Sequence, residues 1–355
     1  MKRLFFIFHI LLSVLLISGC VDKKVIDDVN ISVGMGLDKS EGQLKGTIMI
    51  PVFKEDKSIG NFTFTAEGAV TRDAIIKMQN KASQPIVGGS LDIILLGENL
   101  AREGIISVLD VFLREPTIGA GLKLAIVDGT PEEIFKANYG DRGNSEYLDN
   151  LLEHNMRDGS LPLSNLHLFL VDYYQKGKDA YLPLLKKKEP ELVNIMGVAL
   201  FKGEKVVDIL TMDKMYYFKL LVDKRVRGSV MIKRKQGESF IKTIKSRHKI
   251  KLVNRNPYQF VIDLKVKGNL TEHEGRDLGK NEVKDIEKQL EKQIVDECTA
   301  MIKDFQKQKI DPIGFGHFVK TKTRSFDFGK WEEDYKSAQF KVNADVEIVE
   351  IGVIE

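Results

Sequence analysis

The chain reads as an α+β protein, with mixed sheets and packed helices in at least two domains. Three observations carry that reading. Several segments alternate apolar and polar residues with the period of half-buried strands. One long segment, Glu282–Gln308, steps its apolar residues by three or four, the period of a helix. A charged, proline-containing stretch, Lys186–Glu191, separates two runs of such elements.

In chain order, Val29–Leu37, Leu44–Phe53 and Phe62–Glu67 are predicted strands, the last alternating Phe62, Phe64 and Ala66 with Thr63, Thr65 and Glu67. Thr71-Arg72-Asp73 opens a helix through about Ala82, and Pro85–Ser90 is a turn. Leu91–Leu96 is a buried strand, and Glu98–Arg114 a helix stopped by Pro116. Leu122–Val127 is another strand. Thr130-Pro131-Glu132-Glu133 is a capped helix start with proline in its first turn. Residues 139–160 are polar and turn-rich, with helical patches around Tyr147–Glu153 and Asn165–Tyr174. Lys186–Glu191 is predicted to be the main domain boundary, giving an N-terminal α/β domain over 20–190, of one or two subdomains, and a C-terminal α+β domain over 191–355. In the latter, Ile195–Phe201 and Lys205–Leu210 form a hairpin around Lys202-Gly203-Glu204, and Asp213–Val222 is a helix. Gly228–Ile232, Phe240–Val253 and Tyr258–Leu270 are strands. The long helix follows, its stripe of Val283, Ile286, Leu290, Ile294, Cys298, Met301 or Ile302, and Phe305 predicting that it lies across a sheet. Ala338–Ile354 closes the chain as a strand.

The first twenty residues carry a different signal. Lys2 and Arg3 precede the apolar run Leu4–Ile17, which ends in Ser18-Gly19-Cys20. A basic start, a short hydrophobic segment and small residues before a cleavage point make 1–19 a secretory signal peptide, too short for the roughly 20 residues that span a bilayer. The cysteine directly after Ser18-Gly19 resembles a bacterial lipobox. Cys20 would then carry an S-diacylglyceryl group, with or without a further N-acyl chain, and become the first residue of an exported lipoprotein. Each buried methylene contributes about 0.8 kcal/mol, so two acyl chains anchor far more firmly than one.

Composition narrows the function. The chain is 43% hydrophobic and 30% charged, as folded proteins are, and carries a net charge of +3, which creates no global pull toward nucleic acid. Lysines outnumber arginines 41 to 13, against a general theme of forked phosphate recognition. Cys298 is the sole other cysteine and falls on the apolar helix stripe, so it reads as a buried small residue.

No catalytic or cofactor pattern stands out. Gly34-Met35-Gly36 follows a strand but has Lys39 where a dinucleotide fingerprint needs glycine; it reads as a tight turn or bulge. Gly88-Gly89-Ser90-Leu91-Asp92 lacks the final glycine of a nucleophile elbow and precedes a strand. His154, His167, His248, His273 and His317 have no metal-ligand spacing. Neither a catalytic residue, a metal site nor a cofactor is assigned. One feature exceeds background. Between Lys224 and Lys251 lie eleven Lys or Arg residues and one acid, Glu238. Lys233, Arg234, Lys235, Lys245, Arg247, Lys249 and Lys251 are therefore candidate contacts to an anionic membrane surface or an acidic partner; the alternative is an ordinary solvated sheet face.

Taken in order, these features resemble the Ger(x)C family, the lipoprotein C subunits of spore germinant receptors. The resemblance rests on the lipobox, then Asp22–Asp28 and Val33-Gly34-Met35-Gly36-Leu37-Asp38. It continues through Leu95–Ile105, Leu109–Pro116, Gly197–Gly203, Asp311-Pro312-Ile313-Gly314-Phe315-Gly316, and Trp331 with the terminal strand. Val21 departs from the tryptophan expected after the lipid-bearing cysteine. The resemblance implies a non-enzymatic receptor subunit without cofactor. It would be held by its lipid on the outer face of the inner spore membrane and act with membrane A and B subunits to trigger germination by nutrients. Germinant binding by this subunit stays open. The alternative function is a ligand-binding lipoprotein of a nutrient transporter.

Overall fold

A computed structural model of the chain describes residues 28–119, 121–234, 237–274, 279–324 and 326–351. Among them, one eight-stranded mixed sheet and one four-stranded sheet hold most of the strand residues. The larger sheet is built from β2 (Gly34–Ser40), β3 (Gln43–Phe53), β4 (Ile59–Gly68), β6 (Ile93–Gly97), β7 (Lys123–Val127), β8 (Tyr181–Glu189), β9 (Leu192–Lys202) and β10 (Lys205–Thr211). Its spatial order is β10-β9-β8-β7-β6-β2-β3-β4. The central strands β2, β6, β7 and β8 run parallel, and an antiparallel pair extends each side. Two short strands, β1 (Asn30–Ile31) and β5 (Ile86–Val87), pair separately.

Strand β6 shows why the centre of this sheet is parallel. Its run Ile93-Ile94-Leu95-Leu96 has no polar face, and Ile93 and Leu95 enter one core while Ile94 and Leu96 enter another. A strand covered on both sides needs such a run. Helices α1 (Thr71–Gln79), α2 (Glu98–Glu103) and α3 (Ile106–Leu113) contribute to the second of these cores, through Met78, Leu100 and Leu109. Helices α4 (Pro131–Lys136) and α5 (Asn144–Arg157) contribute to the first, through Phe135 and Leu152. Thr130 caps α4, accepting the Glu133 N–H at 3.3 Å, as the sequence predicts. The helix expected over Glu98–Arg114 is two helices: Gly104 ends α2, and the Ile105 N–H bonds the Glu204 carbonyl instead of continuing the ladder.

Gly34 and Gly36 are not a turn or bulge; they lie inside β2. A Cβ on Gly36 would come within 2.6 Å of Pro131 and 3.2 Å of Phe135, so the glycines admit α4 against the strand.

The expected boundary, Lys186–Glu191, falls on a hairpin. Lys186–Glu189 belong to β8 and Leu192 opens β9, with Glu189 paired to Leu192, so Lys186–Glu191 is a hairpin end within the larger sheet. β9 and β10, expected to begin the second domain, complete the first sheet. The physical reason is that the hairpin projects past the core. Tyr181–Leu185 are buried, and exposure rises from Lys186 onward, so charge and proline mark a protruding turn rather than a linker.

After α6 (Leu166–Tyr174) in the first half, the next helix is α7 (Met212–Val222), whose residues Met215 to Leu221 are all buried. A helix apolar on every side belongs in the interior. Its one buried cation, Lys219, donates to the carbonyls of Met156 (2.6 Å) and Gly159 (2.7 Å), near the C-terminal end of α5. One contiguous core joins a face of the first sheet, α7, and the second sheet.

That second sheet has the order β11 (Gly228–Arg234), β12 (Gly237–Arg255), β13 (Tyr258–His273) and β14 (Gln339–Ile351). The predicted long helix is α8 (Lys280–Gln308), about 43 Å long at 1.5 Å per residue. It buries Ile286, Leu290, Ile294, Cys298, Met301, Ile302 and Phe305 across one face of this sheet. Cys298 is fully buried, its thiol donates weakly to the Tyr217 carbonyl at 3.8 Å, and burial pushes the thiol far above its ordinary range. Such a thiol is inert. Helices α9 (Phe315–Lys322) and α10 (Phe328–Ser337) lead into β14.

Candidate functional site

The basic segment forms β12 and its surroundings. Lys245, Arg247, Lys249 and Lys251 are exposed, whereas Ser246 is buried and His248 and Ile250 are half-buried, as a period of two requires. A register shift between Thr243 and Lys245 leaves Ile244 and Lys245 both outward. The open face is ordered by charge. On β13 and β14, Lys265 pairs with Asp345 (2.8 Å) and Lys267 with Glu347 (2.5 Å). Lys251 reaches Asp263 at 2.6 Å. Lys242, Lys245 and Arg247 make no ion pair among the described residues, and Lys249 faces Asp263 across the ladder without pairing closely with it, so the less compensated charge collects on β12.

The other candidates divide. Lys233 is exposed, 3.7 Å from Glu238. Arg234 is not a surface contact: its side chain is 3% exposed and its guanidinium bonds Glu282 and Asp285 of α8. The alternation of β11 turns Arg234 to the helix side, where an unpaired charge would be costly and two carboxylates compensate it. Lys235 and Cys20 lie outside the described residues, as does the signal segment.

The two edges of this sheet are treated differently. On β14, the Val346 and Ile348 N–H groups donate to Glu291 (3.1 Å) and Glu287 (2.8 Å) of α8, one helical turn apart. A free strand edge is thereby closed by helix side chains. On the opposite side, β11 covers β12 only from Gly237 to Thr243. The loop after α7 then guards two positions: the Val226 N–H donates to Ser246 Oγ (2.7 Å), and His248 Nδ1 bonds the Asp223 carbonyl (2.9 Å). Beyond His248, no backbone hydrogen bond covers that side of β12 among the described residues.

A second cluster fastens the two halves. Asp311 is buried and accepts the N–H groups of Gly314 (2.8 Å), Phe315 (3.0 Å) and Gly316 (2.8 Å). Its own N–H donates to Asp179 Oδ2 (2.7 Å), and the Asp179 N–H returns to the Asp311 carbonyl (3.0 Å). Lys202 approaches Asp179 at 3.6 Å and donates to the Lys309 carbonyl at 2.6 Å. Burial pushes the Asp311 carboxyl up to about 7, although the three N–H groups favour its ionised form. Gly314 takes the left-handed conformation, φ +87°, that lets the chain fold back over the carboxylate, and a Cβ on Gly316 would strike the Trp331 ring. The Asp311–Gly316 segment is therefore a structural clasp. Sequence spacing marks its glycines, but the partner, Asp179, is 132 residues away and carries no local signal.

Among the described residues, no group of three or more His, Cys, Asp or Glu side chains could hold a metal ion, and no helix is long and apolar enough to cross a membrane. A cavity of about 600 Å³ lies beside β1 and β5, lined by Ile31, Met35, Ile86, Leu91 and Phe112, with Arg72 and Glu115 in its wall.

The profile of the spore germination protein N-terminal domain matches residues 22–187, and that of the spore germination B3/GerAC-like C-terminal domain matches residues 196–352. The two profiles meet at the β8–β9 hairpin, while the larger sheet continues across it. The chain is 33% identical to spore germination protein GerQC of Bacillus cereus over 363 residues, covering 100% of both. It is 24% identical to spore germination protein A3 of Bacillus subtilis (strain 168), over 73% of this chain and 71% of that one. The crystal structure of the GerBC protein has the same fold, with a TM-score of 0.61 at 20% identity over 89% of this chain and 97% of that one. The chain belongs to the Ger(x)C family of spore germination proteins.

Proposed function

We propose that this protein is the non-enzymatic C subunit of a spore nutrient germinant receptor. It is anchored through lipid on Cys20 at the outer face of the inner spore membrane, and acts there with membrane-embedded A and B subunits. The observation that carries this reading is the full-length match to a spore germination protein, with both family halves present in order. The lipobox ending in Cys20 supports the anchor, and only thirteen residues, 21–33, separate Cys20 from the start of β2 at Gly34. Deleting the gene and scoring spores against a panel of nutrients tests the role. Loss of at least one response, restored by the wild type and not by Cys20→Ala, is expected. Fatty-acid label persisting in the Cys20→Ala chain would remove the anchor.

A second reading, nutrient binding by this chain itself, is favoured by the 600 Å³ cavity beside β1 and β5. Melting of the purified protein with each nutrient separates the two. A ligand at a hundred times its dissociation constant stabilises by about 2.7 kcal/mol. No shift with any nutrient would leave recognition to another subunit.

A further inference from the structure

We propose that the open edge of β12, from Lys249 to Arg255, is a docking groove for an extended acidic segment of a partner protein, which adds to the second sheet as an extra strand. The surface stands on edge geometry and goes beyond the receptor reading.

Three observations converge. The first is the contrast between the edges. β14 has its N–H groups capped by Glu287 and Glu291, and β12 is covered by β11 as far as Thr243 and by the 223–227 loop as far as His248. The seven residues that follow ladder with β13 on their other side, with a register shift at Val253, and the alternate residues whose N–H and C=O turn outward face no strand among the described residues; the Arg255 N–H is taken by Asn254 Oδ1 at 2.9 Å. At about 3.4 Å per residue they offer roughly 23 Å of edge, the length of an ordinary strand. The second observation is shape. Lys249–Arg255 and α9 enclose a groove of about 690 Å³, with Phe318 and Lys322 forming the far wall. Arg255 ties that wall to the strand by donating to the Lys322 carbonyl at 3.0 Å. The third is chemistry. Lys249, Lys251, Arg255 and Lys322 supply cations, while Val253 is 63% exposed beside half-buried Ile250 and Leu252.

A bare edge of this kind is a template for strand addition, in which main-chain hydrogen bonds give affinity and side chains give specificity. Lysines on an edge normally repel indiscriminate pairing. Here they select the sign of the strand admitted: alternate acidic residues on one face of the added strand meet Lys249, beside the Lys251–Asp263 pair, and the residues on its other face meet Phe318 and Lys322 of α9. A lipid surface would satisfy the charges but leave the backbone groups and the apolar wall unused.

The test uses the full purified chain in neutral detergent and a fluorescent decapeptide alternating glutamate with valine and threonine. The peptide should bind, and should slow amide exchange in 249–255. A matched peptide with alternate amides N-methylated, which keeps the charge but cannot form a strand ladder, should bind at least tenfold more weakly. The double variant Lys249→Glu, Lys322→Glu should also lose at least tenfold while its melting temperature stays unchanged. Equal binding of the N-methylated peptide, equal binding by the variant, or no binding at millimolar peptide overturns the proposal. So does binding of phosphatidylglycerol vesicles through these lysines when the peptide gives no protection at 249–255, which would make the face a headgroup contact.

Discussion

The two sheets of this protein solve opposite problems. The eight-stranded sheet is covered on both faces, and its central strand β6 has every residue buried. Among the described residues, the four-stranded sheet packs one face against α8, and its other face carries a ladder of ion pairs with cations on β12 that make no ion pair. The difference teaches where stability and recognition are kept apart. A strand buried on both sides cannot present anything, whereas a strand with one wet face can change its charges at little cost to folding. The α7 helix, buried all round, and the Asp311 clasp join the two parts. The second sheet is thus displayed on a rigid support.

The largest loss should come from cutting into the support. Leu95→Ala, in the centre of β6, should destabilise the protein by about 3 kcal/mol, from lost apolar burial and an uncollapsed cavity, measured by denaturant unfolding. A cost below about 1 kcal/mol would mean that the larger sheet is not the rigid element.

The clasp should give a smaller effect with a pH signature. Asp311→Asn exchanges a charged acceptor of three N–H bonds for an amide with one acceptor oxygen, at a cost of about 2 kcal/mol near neutral pH. Its folded-state pKa of about 7 lies above the ordinary 3.8. The stability linked to its proton is therefore fully present below about pH 4 and is lost as pH rises through about 7. Asp223, pushed up to about 6 by burial, adds in the same direction. The variant should show a flatter profile between pH 4 and 7 than the wild type; equal slopes would show that Asp311 does not titrate there.

The smallest effect belongs to the open face. Replacing Lys245, Arg247 and Lys249 together with Gln should change folding stability by no more than about 0.5 kcal/mol, since these cations are exposed and make no close ion pair among the described residues. A larger loss would assign β12 to the support.

Much of this contrast was legible in the sequence. The all-apolar run of β6, the stripe of α8 and the alternation of Lys245–Lys251 each state their own burial, because a period of 2 or 3.6 is a local property. What failed was long-range. Pro190 and its charged neighbours announce a turn, but nothing local says that β9 returns to the first sheet. Arg234 looks like its basic neighbours until Glu282 and Asp285 arrive from α8. The glycines of β2 suggested a turn because the helix that needs their bareness, α4, comes about a hundred residues later. The clasp was visible as a motif, but its function required Asp179. The open edge of β12 was unreadable, since an edge is defined by what other strands leave uncovered.

The central claim, that this chain works as a subunit of a membrane receptor, is tested most directly by affinity purification of the tagged full chain from detergent-solubilised inner spore membranes. Membrane A and B subunits should co-purify with it in fixed ratio, and the lipid-free Cys20→Ala chain should recover less of both. A chain that elutes alone, while the A and B subunits remain associated with each other, would contradict it.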